Sequence, residues 1–376
     1  MRLLFIFLFI FINLYANIEE FENYIQKEVE KESPPSASFA ILEGNKVVYA
    51  KSFGYNDANL SQKTNVKSVY HVYSLTKILT ATIVMKLIEE NKIKLDDSIK
   101  KYFPNFNVNF NNKSVDVTIL QLLNHSSGIN DRSPNLKYMM ENKIRDISLE
   151  LPYMPGSEAK YSSAEYIILG KVIEQVTGKT FEQVVRQYIL NPAKMSRSNF
   201  HYDKTMASNQ VYGTIQFFSI TGTIMKFILD DKNKDFYKGS TLWLKEFDIG
   251  WQAAGGLVST IEDMAKFLSA YNANKLFSKK TKNIFTVSKK VKVNSWLTSQ
   301  DDVGFGIGWY HIFDKGKFFY QHQGLGPGFR TIMRIYPAYD ISIIILTSQT
   351  SVDIDMWSDK LIDSIIHTSR DELNLY

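Results

Sequence analysis

Three stretches of this chain place a lysine three residues after a serine: Ser74-Leu75-Thr76-Lys77, Ser98-Ile99-Lys100-Lys101 and Ser157-Glu158-Ala159-Lys160. On a helix, positions i and i+3 share a face, so the lysine nitrogen can reach the serine oxygen and take its proton, which makes the serine a nucleophile. Context separates the three. Ser98 lies in a charged, lysine-rich stretch where its lysine stays solvated and protonated, and Ser157 follows Pro155-Gly156 in a loop signature. Ser74 alone opens a long apolar run, expected to be helical from Ser74 to Asn91, in which Lys77, Ala81, Val84 and Ile88 share a face. There the hydroxyl would meet free backbone N–H groups and the positive end of the helix dipole, while burial would push the lysine toward its neutral form. The same tetrad also fits an N-capping serine beside a lysine that snorkels to water.

Other routes to hydrolysis find no pattern here. The chain of 376 residues has no cysteine, which excludes a thiolate nucleophile, thiolate metal sites and disulfides. The six histidines, at 71, 125, 201, 311, 322 and 367, never stand four residues apart, and no HExxH, GxSxG or Walker-type sequence occurs. No metal and no organic cofactor is therefore expected. A composition of 44% hydrophobic and 22% charged residues is globular and supports a large core. The formal charge of +5 comes from scattered lysines, which argues against a nucleic-acid partner. At the N-terminus, Arg2, the apolar run Leu3 to Ile12 and Ala16 fit a secretory signal over residues 1–16, too short to span a bilayer.

The elements that must carry the serine come from both ends of the chain. Glu19 to Lys31 reads as a helix ending before Pro34-Pro35, and Ala37 to Leu42 and Lys46 to Phe53 flank Gly44-Asn45 as a hairpin. Phe305 to Phe313, Lys317 to His322, Phe329 to Tyr336 and Ile341 to Thr347 repeat the strand pattern, and Ile354, Trp357, Leu361 and Ile365 mark one face of a closing helix. The expected fold is α+β: an antiparallel sheet from residues 17–70 and 300–376, flanked by helices, with a mainly helical domain over 71–299 inserted between. Within that insert, helices are expected over Ile119 to Leu123, Ala164 to Val176, Phe181 to Leu190 and Ile261 to Tyr271, the last opened by a Ser259/Glu262 capping box.

Several segments jointly resemble the serine β-lactamase and penicillin-binding protein superfamily, in its class C β-lactamase and DD-peptidase branch. They are His71-Val72-Tyr73-Ser74-Leu75-Thr76-Lys77, Leu122-Leu123-Asn124-His125-Ser126-Ser127-Gly128, Pro155-Gly156-Ser157 with Tyr161-Ser162-Ser163, Gly170 to Gly178, Ala254-Gly255-Gly256-Leu257-Val258-Ser259-Thr260 and His322-Gln323-Gly324, in family order over roughly residues 20 to 350. The resemblance implies Ser74 as the acylated nucleophile, with Lys77 and Tyr161 as its proton-transfer partners and either one as the formal base. It implies an oxyanion hole from the N–H groups of Ser74 and Leu325, and a strand at Gly324 against which substrate backbone lies. Two departures stand out. Ser163 replaces the asparagine of the family's Tyr-x-Asn element, and His322 replaces the lysine of Lys-Thr-Gly, so a fixed charge becomes one that titrates near pH 7. The His-x-Gly version points to DD-peptidases, D-aminopeptidases and esterases, with a β-lactamase or a catalytically silent cell-wall-binding relative as the rivals. The implied partner is a small-molecule or peptidoglycan-peptide substrate, met outside the cytoplasm, in the periplasm. His125 and Gly128 read as the capped end of a helix, and Trp251 and Trp309 as candidate cleft residues or core.

Overall fold

In the computed structural model, residues 18–131, 148–217, 219, 220, 223, 224, 231–285, 289, 290 and 302–373 are described. The expected signal segment, residues 1–16, lies outside them. In chain order the elements that build the site are α1 (18–30), β1 (Ser36–Glu43), β2 (Lys46–Gly54), β3 (Val69–His71), α2 (Thr76–Glu89), α3 (Ile119–Leu123), α4 (Ser163–Thr177), α5 (Gln252–Gly255), β4 (Val258–Thr260) and α6 (Ile261–Asn272). The C-terminal set is β5 (Lys289–Lys290), β6 (Asp302–Phe305), β7 (Tyr310–Asp314), β8 (Lys317–Gly326), β9 (Phe329–Tyr336), β10 (Ile341–Thr347) and α7 (Ile354–Leu373).

One eight-stranded antiparallel sheet joins the two ends of the chain in the order β5-β6-β7-β8-β9-β10-β1-β2. Its central strands are buried on both faces, which is why they read as continuous apolar runs. Along β1, Ala37, Phe39 and Ile41 face the terminal helices, while Ala40 and Leu42 face the inserted part; Ile343 and Ile345 divide from Ile344 and Leu346 on β10 in the same way. The first face is closed by Ile18, Phe21, Ile25 and Val29 of α1 and by Ile354, Trp357, Leu361 and Ile365 of α7. The expected α+β architecture is borne out.

The insert surrounds α2, whose residues Thr76 to Met85 are all buried, so this helix is enclosed on every side rather than amphipathic. The span 71–299 also holds small sheets: β4 pairs with β3, Asn107–Phe110 pairs with Lys113–Ser114 and Ser148–Glu150, and Thr241–Leu244 pairs with Thr214–Gln216 and Lys234–Lys238.

Three local expectations need correction. Phe305 to Phe313 is two strands, because Gly306 to Trp309 reverses the chain; Gly308 has φ +73, and a Cβ there would stand 2.7 Å from Ala81 of α2. The cap of α6 is Thr260, which accepts from the Asp263 N–H at 3.0 Å, one residue beyond the Ser259/Glu262 pair. The left-handed residue directly after the C-cap of α3 is His125 (φ +57); Gly128 is left-handed too (φ +85) but stands three residues farther on.

The sheet is pinned to α7 by Arg334, 1% exposed, whose guanidinium donates to Gln321 at 2.5 Å, Asp355 at 2.6 Å and Asp359 at 2.7 Å and lies 4.6 Å over the Phe319 ring. Removing one partner from such a buried network leaves the others unpaired. With both carboxylates partly open to solvent, Arg334→Leu is expected to cost about 2–4 kcal/mol. Urea unfolding checks this, and an unchanged midpoint would show that the network carries no net stability.

Candidate active site

The nucleophile stands on a corner. Strand β3 passes through Val72 into a 3-10 turn, Tyr73–Leu75, before α2 begins at Thr76. Tyr73 holds φ +46, an uncommon conformation for a large side chain, and its surroundings enforce it. Its hydroxyl donates to the Pro327 carbonyl at 2.6 Å, its carbonyl accepts from Thr76 Oγ1 at 2.6 Å, and its ring fills the space a Cβ on Gly326 would need. Ser74 is thereby projected toward α4 and β8.

Around it the distances are those of a proton-transfer cluster. Ser74 Oγ lies 2.6 Å from Tyr161 Oη and accepts from Lys77 Nζ at 3.0 Å. The side chain of Lys77 is fully buried, and its nitrogen also donates to Ser163 Oγ at 3.3 Å and the Ala254 carbonyl at 2.5 Å. A carbonyl oxygen can only accept, so one N–H is always committed to Ala254. A neutral amine would spend its second N–H on Ser163 and turn its lone pair to the Ser74 O–H. The other two tetrads form no such cluster. Ser98 caps a short turn and donates to Asp116 at 3.3 Å, Lys101 pairs with Asp97 at 2.8 Å, and Ser157 donates to the Met154 carbonyl at 2.7 Å.

Strand β8 forms the facing wall. β7 pairs with it only as far as Gln321, so from His322 to Gly326 that side of β8 has no β7 neighbour. One expectation on this strand, the charge of His322, needs correction. The hydrogen of Gly324 faces inward: a Cβ would lie 2.2 Å from the Val72 carbonyl oxygen and from Thr331 Oγ1, so this glycine allows strand and nucleophile turn to touch. His322 is no switch near pH 7. It is 1% exposed and stacks on Tyr310 at 4.8 Å; burial, with repulsion from Lys77, lowers its pKa to about 3. Nδ1 faces the Gln323 carbonyl at 2.9 Å and must donate there, so Nε2, buried without a hydrogen-bond partner, carries a lone pair. Leu325 lies opposite Arg330 on β9.

The structure thus brings Ser74, Lys77, Tyr161 and Ser163 into one hydrogen-bonded group, and His322 meets Tyr161 edge-on at 6.4 Å. Trp251 is 42% exposed, whereas Trp309 is buried and donates to Tyr271 Oη at 3.0 Å. Reading residue types alone missed the Ala254 carbonyl, which no side chain announces. It also missed Glu165, fully buried beside His125; its place in the first turn of α4, four residues after Tyr161, was the available signal. Among the described residues no three His, Asp or Glu side chains converge as a metal site, and no helix is long and apolar enough to cross a membrane.

The family model described as Beta-lactamase matches residues 21–357, and the chain belongs to that family. Protein flp of Staphylococcus aureus strain MW2 is 23% identical over 359 residues, 94% of this chain and 67% of that protein. A putative D-alanyl-D-alanine carboxypeptidase of Escherichia coli strain K12 is 26% identical over 328 residues, 78% of this chain and 71% of that protein. The D-amino acid amidase of Ochrobactrum anthropi SV3, in complex with D-phenylalanine, shares the fold with a TM-score of 0.74 at 19% identity, covering 93% of this chain and 99% of that one. With the Ser74 cluster, this family membership makes the chain a serine hydrolase.

Buried neutral imidazoles have a cost in acid. His71, stacked on Phe247 at 4.9 Å beneath the nucleophile turn, is lowered by burial to about 3, as His322 is. The unfolded chain binds protons on both from about pH 6.5 downward while the folded chain does not, so stability is lost as pH falls through that window. The urea midpoint should drop between about pH 6.5 and 4, and His71→Phe, which keeps the stack, should give a shallower drop. An identical slope in the variant would contradict the assignment.

Proposed function

We propose that this beta-lactamase family member is an exported hydrolase that works through an acyl-enzyme on Ser74. Its proposed substrates are small esters and amides, D-amino-acid derivatives from peptidoglycan among them, in preference to β-lactams. The observation that carries the reading is the placement of Ser74 Oγ 2.6 Å from Tyr161 Oη and 3.0 Å from Lys77 Nζ. In the forward step the Ser74 proton passes to Lys77 or Tyr161 as Oγ bonds to the acyl carbon. The carbonyl π pair moves to oxygen, where the backbone N–H groups of Ser74 and Leu325 receive the developing charge. The same proton then goes to the departing alcohol or amine as its bond to carbon breaks. Water repeats the sequence on the ester and frees Ser74.

His322 supports the substrate preference. A β-lactam or a peptide ending in D-alanine presents a carboxylate, which gains little from a neutral ring offering a lone pair. That lone pair suits a donor on the substrate, an alcohol, an amide N–H or an amine. Ser163, with a single hydroxyl already engaged by Lys77, offers less to an acyl amide than an asparagine does. Arg2 and the run Leu3 to Ile12 support export, and sequencing the secreted protein from Asn17 tests it.

Ser74→Ala should abolish both turnover and labelling by a fluorophosphonate, whereas Ser98→Ala and Ser157→Ala should not. Lys77→Arg should be nearly inactive because guanidinium keeps its proton, and Tyr161→Phe should lose about 10²–10⁴-fold in acylation. Steady-state kinetics with a nitrophenyl ester, a D-alanyl amide, a D-Ala-D-Ala peptide and nitrocefin, each from pH 5 to 8, test the substrate class. Turnover of the first two should dominate, and KM for the carboxylate-bearing pair should show no transition from His322. Efficient nitrocefin hydrolysis alone would make the protein a β-lactamase, and no turnover of any of the four would favour a silent relative.

A further inference from the structure

Behind Tyr161 lie two enclosed titratable groups that the acyl transfer does not itself use. His125 and Glu165 have side chains 3% and 0% exposed. The His125 ring packs 4.8 Å from Tyr161, 5.2 Å from Tyr166 and 5.1 Å from Phe305. Its Nδ1 is 2.5 Å from Glu165 Oε2 and also faces the backbone N–H of Ser162 at 3.3 Å. The other carboxyl oxygen of Glu165 accepts from Ser127 Oγ at 2.5 Å and from the Ser127 N–H at 3.3 Å.

The donors decide where the protons are. The Ser162 N–H is aimed at Nδ1, which places the imidazole proton on Nε2; the single lone pair of Nδ1 is then shared, with the carboxyl at 2.5 Å as its main partner and the Ser162 N–H at 3.3 Å as a weaker second donor. An unprotonated nitrogen 2.5 Å from a carboxyl oxygen needs a proton between them, and the carboxyl must supply it. Burial acts the same way on both partners: it holds the Glu165 carboxyl well above the usual carboxylate range and the His125 imidazole well below its own. The other groups facing Glu165 are Asp131, whose charge reinforces protonation, Lys77, whose charge opposes it, and the phenols of Tyr153 and Tyr166. Repulsion from Lys77 in turn disfavours a proton on His125.

We propose that Glu165, as the neutral acid, donates to His125 Nδ1, and that this uncharged pair positions Tyr161 against Ser74 while leaving Lys77 without a carboxylate counter-ion. The geometric half runs through the chain: Nδ1 anchors the Ser162 N–H next to Tyr161, and the imidazole backs the phenol ring. The electrostatic half follows from what is missing. An ionised carboxylate at this depth would attract the Lys77 nitrogen as a counter-ion and compete with Ser74 for it; a carboxylic acid exerts no such pull. Glu165 and His125 are positioning residues, since neither touches the reacting atoms.

Infrared difference spectroscopy on the intact protein tests the protonation without any substrate. Wild-type minus Glu165→Gln should show the carbonyl stretch of a carboxylic acid at neutral pH; a carboxylate band in its place overturns the proposal. The kinetic arm rests on the acyl-transfer reading and uses a neutral 4-nitrophenyl ester. Glu165→Leu should lower kcat by roughly 10–10²-fold with KM little changed, as expected when a reacting group is slightly displaced. Glu165→Gln should recover most of that loss, because its amide N–H can donate to Nδ1 while its oxygen accepts from Ser127. Its acidic limb of kcat should coincide with that of the wild type. A limb moved to lower pH in Glu165→Gln would mean that the native residue is charged, and would overturn the proposal. Failure of the wild type to turn over the ester would count against the hydrolase reading alone, and the infrared result would still decide the protonation.

Discussion

Taking a lysine amine out of water costs several kcal/mol unless its hydrogens find acceptors, and Lys77 meets that demand by drawing three parts of the chain onto one nitrogen. Ser74 comes from the turn before α2, Ser163 from the first turn of α4, and the Ala254 carbonyl from α5. The last is an end-of-helix oxygen that a helix of four residues leaves open. Bringing those parts close needs small residues at the crossings. A Cβ on Gly170 would lie 2.5 Å from that of Ala253, so α4 and α5 approach to near backbone contact there. The all-round burial of α2 has the same origin: a helix carrying an amine on its first turn must be surrounded by the elements that solvate it.

Around this nitrogen the site is kept almost free of formal charge. His322 and His125 are held neutral by burial and by repulsion from Lys77, and the Glu165 carboxyl lies behind the Tyr161 phenol. In the proposed acyl transfer, stabilisation of the reacting oxygen is therefore left to fixed backbone dipoles, which need no counter-charge and do not reorganise during the reaction. A buried cluster of formal ion pairs lies elsewhere, between Arg334 and α7 on the opposite face of the sheet.

Much of the sheet was legible because its physics is local. Phe329 to Tyr336 and Ile341 to Thr347 end where they were read to end, since both-face burial writes an apolar run and turn residues punctuate it. Phe305 to Phe313 misled because its two glycines sit inside an aromatic stretch, and a close approach to α2 leaves no mark on composition. The left-handed His125 was equally hidden: its conformation is stabilised by three aromatic neighbours from distant segments. Ser74 and Lys77 were visible as a spacing, but the state of His322 was not. Its type suggested titration near neutrality, whereas burial, a tertiary property, sets its charge.

The interleaving of the two chain ends also has a meaning in time. β1, near the start of the folded part, has β10 for its inner neighbour, with Ala37 opposite Thr347. The wall facing Ser74 is β8, which reaches its place only as part of that sheet. A chain emerging from the N-terminal end therefore holds Ser74 with nothing to complete the site through more than two hundred residues of synthesis. Contacts of such long sequence separation form late and slowly. The site is complete only with the last strands, so under the proposed acyl transfer the order of the chain itself keeps Ser74 silent until the molecule is nearly whole.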